Sequence, residues 1–233
     1  YLIFLLVFTL GFGPGIYTYR NLPFVDFLPY KKGADIPELM KIPPGAPQDE
    51  YEIIYQLKNK QSGARQQMTD QQYLKQEVWK DTNWEVVGEP VSKLLKKGFE
   101  PKIKDLKITD AAGEDFTLAV LEHSGYQLMI IAYDLEKADP GALIKLNALA
   151  LKAIEEFRIP SAIFTASGVD KAYTLRRNLA INMPFFFVDA IPLKSMVRAN
   201  PGILLLKNGV VLEKWHYRKL PSYEELVKTY FKK

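Results

Sequence analysis

Gly202-Ile203-Leu204-Leu205-Leu206-Lys207-Asn208-Gly209-Val210-Val211-Leu212-Glu213-Lys214-Trp215 decides the fold. Asn208-Gly209 between two strand-like runs is a strong hairpin signal, because both residues tolerate the positive φ of a tight two-residue turn. Upstream, Gln127 to Tyr133 is a continuous apolar run of the kind buried on both faces of a sheet. Gly141 to Phe157 follows with Leu143, Leu146, Ala150, Ile154 and Phe157 at three-to-four spacing, which predicts a helix that Pro160 stops. Ser161 to Ala166 reads as the next buried strand, Asp170 to Leu179 as a helix capped by Asp170, Phe185 to Val188 as a short strand and Ile191 to Val197 as a short helix. Downstream of the hairpin, Ser222 caps a terminal helix through Phe231, with Glu224 and Glu225 in its first turn and lysines at its end, complementing the helix dipole. Strand, helix, strand, helix, hairpin and last helix define an α/β sandwich with a mixed sheet.

The order resembles a thioredoxin-like fold of the membrane-tethered, TlpA-type branch, over roughly residues 100–233. Ala199-Asn200-Pro201-Gly202 carries most of the resemblance, with a proline just before the hairpin, where that fold holds a cis-proline. Active members have a CxxC motif where the first central strand gives way to the long helix. The corresponding stretch here is Tyr133-Asp134-Leu135-Glu136-Lys137-Ala138, so the position of the lost CxxC is Asp134 to Lys137. Thiolates at a helix N-terminus drive that chemistry; acids stand in their place, and the dithiol activity does not carry over. In this fold the backbone beside the cis-proline pairs with an extended peptide, which makes Asn200 and Pro201 the candidate peptide-binding loop. The competing reading is that Pro201 only shapes its loop.

Ile103 to Ile108 and Asp115 to Leu118 are expected to pair across the turn Asp110 to Gly113. Asp110, Glu114 and Asp115 lack the regular ligand alternation of a calcium loop, so a hairpin turn is the better reading. Asp134, Glu136 and Asp139 cluster before a helix; paired carboxylates can do acid–base work, and they also simply cap and favour the dipole.

Residues 51–98 read as a small α+β unit. Tyr51 to Lys58 and Ala64 to Met68 are strand-like across a turn at Asn59 to Gly63. A polar helix to Gln76 starts with Thr69 or Asp70 as N-cap, and Trp84 to Val87 and Val91 to Leu95 are further strands. Six glutamines between Gln61 and Gln76 read as solvated surface. Fewer than fifty residues make a thin core.

Residues 20–50 form a proline-rich strap, in which Pro23, Pro29, Pro37, Pro43, Pro44 and Pro47 favour extended backbone and forbid regular helix. Phe24, Val25, Phe27, Leu28 and Tyr30 are too apolar for a free linker, so the strap is expected to be ordered against a protein or membrane surface, with Phe24 and Phe27 packed. Residues 1–19 carry no charge before Arg20 and fit the closing turns of a transmembrane helix, broken by Gly11, Gly13, Pro14 and Gly15 and followed by interfacial Tyr17 and Tyr19. A buried core helix is the alternative for so short an apolar run.

The strap Leu22 to Lys31, the following Gly33-Ala34-Asp35-Ile36-Pro37 and the cysteine-free thioredoxin-like part together resemble the C-terminal half of a DoxX-type membrane protein. In that family a four-helix membrane bundle precedes such an extension. The resemblance implies an inner-membrane protein whose globular part faces the periplasm, and a membrane complex or integral membrane protein as partner.

Composition removes other classes. The 233 residues contain no cysteine, which excludes disulfides, thiolate metal sites and thiol redox chemistry. Two histidines, His123 and His216, leave little for a zinc site or a Ser-His-Asp triad. The net charge of +4 falls entirely after residue 100, and its basic residues are dispersed among acids. Nucleic-acid binding needs a basic stripe with interleaved aromatics, so none is expected, nor any cofactor or metal. The leading expectation is a redox-inactive, non-enzymatic thioredoxin-like module that binds protein. The alternative is an enzyme or small-molecule-binding domain using the carboxylates Asp134 and Glu136.

Overall fold

The computed structural model describes Val7, Gly11, Gly15, Tyr17 and residues 20–232. The chain divides into two compact units, Ile42–Pro101 and Tyr1–Lys41 with Lys102–Lys233. The expected transmembrane helix end lies outside the described residues apart from Val7, Gly11, Gly15 and Tyr17. Those four are helical, and Gly13 and Pro14, which the expected break also involves, lie outside the described residues. No helix among the described residues is long and apolar enough to cross a membrane.

The strap contains a short helix, α1 (Ile36–Met40). This corrects the expectation that its prolines exclude helix. Asp35 caps α1 by accepting from the Glu38 backbone N–H at 3.0 Å, and Pro37 sits in the first turn, where its missing N–H costs nothing.

The small unit holds β1 (Glu50–Asn59), β2 (Arg65–Thr69), α2 (Asp70–Lys75), β3 (Trp84–Val86) and β4 (Val91–Lys96). β1 is the shared strand, antiparallel to β2, β3 and β4. Thr69 caps α2 in a reciprocal capping box with Gln72. Leu57 and Met68 are its buried side chains, and the six glutamines are exposed. The core is thin, as its length requires.

The larger unit continues with α3 (Thr117–Leu121), β5 (Tyr126–Ile131), α4 (Pro140–Phe157), β6 (Ser161–Thr165), α5 (Val169–Leu179), β7 (Phe185–Phe187), α6 (Ala190–Met196), β8 (Gly202–Lys207) and β9 (Val210–His216). It ends in α7 (Tyr223–Leu226), which widens into a π turn over Val227–Phe231. The sheet order is β7-β6-β5-β8-β9, with β5, β6 and β7 parallel and β8 antiparallel to both neighbours.

The alternation of side chains along β5 explains why its sequence is apolar throughout. Met129 and Ile131 point to one layer with Phe164, Leu204, Leu121, Leu193 and Met196. Leu128 and Ile130 point to the other, against Leu143, Leu146 and Ala150 of α4 and Leu226 of α7. The strap completes the first layer: Tyr30 and Ile36 are buried in it. The strap also pairs with the edge of β9. Gly33 N–H donates to the Val211 carbonyl at 2.7 Å, and Val211 N–H to the Ala34 carbonyl at 2.9 Å. An otherwise open sheet edge is thereby covered.

Two expectations in this unit need correction. Ile103 to Ile108 and Asp115 to Leu118 do not form a hairpin: only Thr109 and Asp115 make an isolated bridge, and Thr109 also bridges Phe187 of β7. Thr117 starts α3 instead, its Oγ1 accepting from the buried Ile108 N–H at 2.9 Å. The Ile108 and Thr109 N–H groups are satisfied by the Thr117 side chain and by Phe187 of β7, while the Ile108 carbonyl accepts from the Phe116 N–H at 2.8 Å. α5 is not capped by Asp170; the N-cap is Gly168, and Asp170 lies in the first turn, where its charge still favours the dipole.

Candidate functional site

The segment between β5 and α4 and the loop between α6 and β8 meet at the C-terminal end of β5. Their apposition follows from the register, in which Ile131 of β5 pairs with Gly202 of β8. Gly202 is required there, since a Cβ would lie 2.3 Å from Val197 Cγ1. The Asn200-Pro201 peptide is cis, at the position that the thioredoxin-like resemblance implies. Asn200 Nδ2 donates to the Asp134 carbonyl at 2.7 Å and so joins the two segments directly. Asn200 Oδ1 is buried without a hydrogen-bond partner.

The four residues at the lost CxxC position have separate fates. Asp134 accepts from Lys137 Nζ at 2.8 Å, and this hydrogen bond holds its carboxyl below the usual carboxylate range. Leu135 is buried in the α4 layer, and its N–H donates to Ser167 Oγ at 3.0 Å. Glu136 pairs with Lys171 of α5 at 2.8 Å, both largely exposed. A general acid needs a carboxyl pKa raised toward neutrality, and Asp134 is shifted the other way. Asp139 is the N-cap of α4, accepting from Ala142 N–H at 2.8 Å, which is a structural use of that carboxylate. Asp134 and Glu136 therefore each meet a lysine rather than each other.

The remaining candidates are also placed. Asp110 Oδ1 accepts from the Ala112 and Glu114 N–H groups, both at 2.9 Å, as a turn carboxylate does. Among the described residues no group of metal-ligating side chains gathers. His216 is buried and stacked on Tyr217, with Nδ1 accepting from the Arg218 N–H at 3.1 Å. Phe24 and Phe27 stand away from the protein core, 83% and 90% exposed, while Tyr30 and Ile36 seat the strap. Phe24 stacks on Tyr17 at 4.1 Å between ring centroids.

Sequence reasoning missed Ser167 and Lys171, which serve the Asp134 to Lys137 segment from β6–α5. A serine after a buried strand and a lysine in a first helical turn carry no local mark of that role. It also missed Asp26 and Lys214, which form an ion pair at 2.7 Å across 188 residues of chain.

The strand order and the cis-proline give a thioredoxin-like fold, and no thiol stands between β5 and α4. No family model matches the sequence, and no curated protein matches it. Solved structures similar to this chain include Xanthomonas campestris peroxiredoxin Q, at 14% identity over 55% of this chain and 88% of that one, with a TM-score of 0.39. Arabidopsis thaliana ScoI with copper bound is similar at 12% identity over 54% of this chain and 93% of that one, TM-score 0.41. A thiol-disulfide oxidoreductase from Bacteroides fragilis is similar at 11% identity over 46% and 85%, TM-score 0.40. The fold class rests on the strand order rather than on these scores, and none of these activities transfers with it.

Proposed function

We propose that this chain is the extracytoplasmic part of a DoxX-type membrane protein, a redox-inactive thioredoxin-like module that binds a protein segment within an inner-membrane complex. The observation that carries this reading is the Asn200–Asp134 bond in a chain without cysteine. The two walls that flank a substrate in a thiol oxidoreductase remain joined, while the thiols are gone. The loop from Arg198 to Pro201 lies outside both α6 and β8, with Arg198 exposed and Asn200 half-buried, where an extended peptide could meet it. The buried, unpartnered Asn200 Oδ1 adds an acceptor beside it. The apolar residues before Arg20 and the proline-rich strap support attachment to a membrane.

The test uses the full chain in detergent micelles. Insulin reduction should show no turnover. Amide resonances of residues 198–202 should shift on addition of extended peptides drawn from membrane-complex subunits, and Asn200→Asp should abolish the shift. Thiol turnover, or peptide-induced shifts confined to other surfaces, would overturn the proposal.

A further inference from the structure

We propose that the cavity beneath the strap is a site for the phosphate of an anionic lipid, with Phe24, Val25 and Phe27 inserted into the same membrane surface. The cavity has a volume of about 240 Å³ and is lined by Asp26, Phe27, Lys32, Arg198, Glu213 and Lys214. Lys214 is the inner cation, its side chain 7% exposed and its Nζ donating to Asp26 Oδ2 at 2.7 Å. Lys32 pairs with Glu213 at 2.5 Å. Arg198 faces the same cavity and makes no ion pair among the described residues. Three cations thus face two carboxylates, and one further anion would balance the site. Burial lowers the pKa of Lys214, with Asp26 opposing, so a second anion near it would relieve a cost the protein now carries.

The rim says which source of phosphate fits. Phe24, Val25 and Phe27 are 83%, 59% and 90% exposed within four consecutive residues. A free phosphate ion would leave these side chains in water, whereas a lipid headgroup brings its own apolar layer to cover them. Arg20 and Lys31 lie close in sequence to Phe24, Val25 and Phe27 and suit an anionic membrane surface. The strap also follows directly on the apolar run before Arg20, so it leaves the bilayer at its surface. In that respect the inference rests on the membrane attachment proposed above.

The chain has no cysteine, so a single environment-sensitive fluorophore can be attached at Phe27→Cys in the full chain. The labelled protein is reconstituted with vesicles of phosphatidylcholine alone or mixed with phosphatidylglycerol. Quenching by a bilayer-borne nitroxide should appear with the mixed vesicles and weaken about fivefold when Arg198→Gln is added, the change expected for one basic side chain at an anionic surface. Arg198 is exposed and unpaired among the described residues, so thermal unfolding of that variant should match the parent. A water-exposed probe in both vesicle types would overturn the proposal. So would quenching indifferent to phosphatidylglycerol or to Arg198→Gln, or inorganic phosphate alone abolishing the vesicle effect at matched ionic strength. Alkaline carbonate extraction tests membrane attachment separately: release of the chain would refute attachment, and retention with an unquenched probe would refute only the strap site.

Discussion

Asn200 Nδ2 lies 2.7 Å from the Asp134 carbonyl, a bond across 66 residues that ties the cis-proline loop to the segment where a thioredoxin-like enzyme would carry its thiols. The same amide leaves Oδ1 buried and unpartnered, so only the donor end contributes.

Asn200→Ala should therefore cost about 1 kcal/mol, since a net hydrogen bond is lost together with an unsatisfied acceptor. Asn200→Asp should cost roughly 1–3 kcal/mol more, because a carboxylate oxygen would then face a carbonyl oxygen with no proton between them. Urea unfolding of the three proteins gives the order. Equal midpoints for the two variants would refute the role assigned to the donor.

Gly209 has φ +73, and a Cβ there would lie 2.6 Å from Pro37 Cδ and 2.7 Å from the Leu121 carbonyl oxygen. Gly113 has φ +86 with nothing within 4 Å of its own added Cβ. Both alanine variants strain the backbone, at a cost of about 1–3 kcal/mol, but only Gly209→Ala must also push the strap away from the hairpin. Its melting temperature should fall further than that of Gly113→Ala, and proteolysis near α1 should accelerate. Matching melting temperatures would show that the strap does not bear on the turn.

Thr117 Oγ1 is the partner of the buried Ile108 N–H. Thr117→Val keeps the shape and removes the acceptor, so the orphaned N–H should cost about 1–3 kcal/mol. Thr117→Ser, which keeps the oxygen, should recover most of that loss in the same unfolding assay.

His216 is 6% exposed, and burial, then the nearby Arg218 charge, lowers its pKa below the usual 6.5. A histidine with a depressed folded-state pKa is protonated first in the unfolded chain. Its contribution to stability is full above the unfolded-state pKa and is lost as pH falls through about 6.5 toward the folded-state value. Thermal unfolding between neutral and mildly acidic pH should show this decline, and His216→Gln should flatten it. An unchanged slope in that variant would assign the acid sensitivity elsewhere.

Local pattern was enough for most elements. The Asn208-Gly209 turn, the apolar runs of β5, β6 and β8, the three-to-four spacing of α4 and the Ser222 cap all act within a few residues. Their sequences alone dictate strand, turn or helix, and with them the mixed sheet. The short stretch before α3 failed for two other reasons: Thr109 pairs with Phe187, 78 residues away, and the nearby Thr117 meets Ile108 through its side chain rather than as a facing strand.

The strap and the site were decided by tertiary structure. Residues 20–47 show apolar character but not which side chains turn inward; closure of β9 against Gly33 and Ala34 seats Tyr30 and Ile36 and leaves Phe24 and Phe27 outward. The absence of thiols and the position of Pro201 were legible in the sequence. That Glu136 would meet Lys171, that Asn200 would reach the Asp134 carbonyl, and that Asp26 would find Lys214 were not. Those contacts join residues that only the sheet register and the strap's edge pairing bring within hydrogen-bonding reach, and no local periodicity encodes a charge's distant partner.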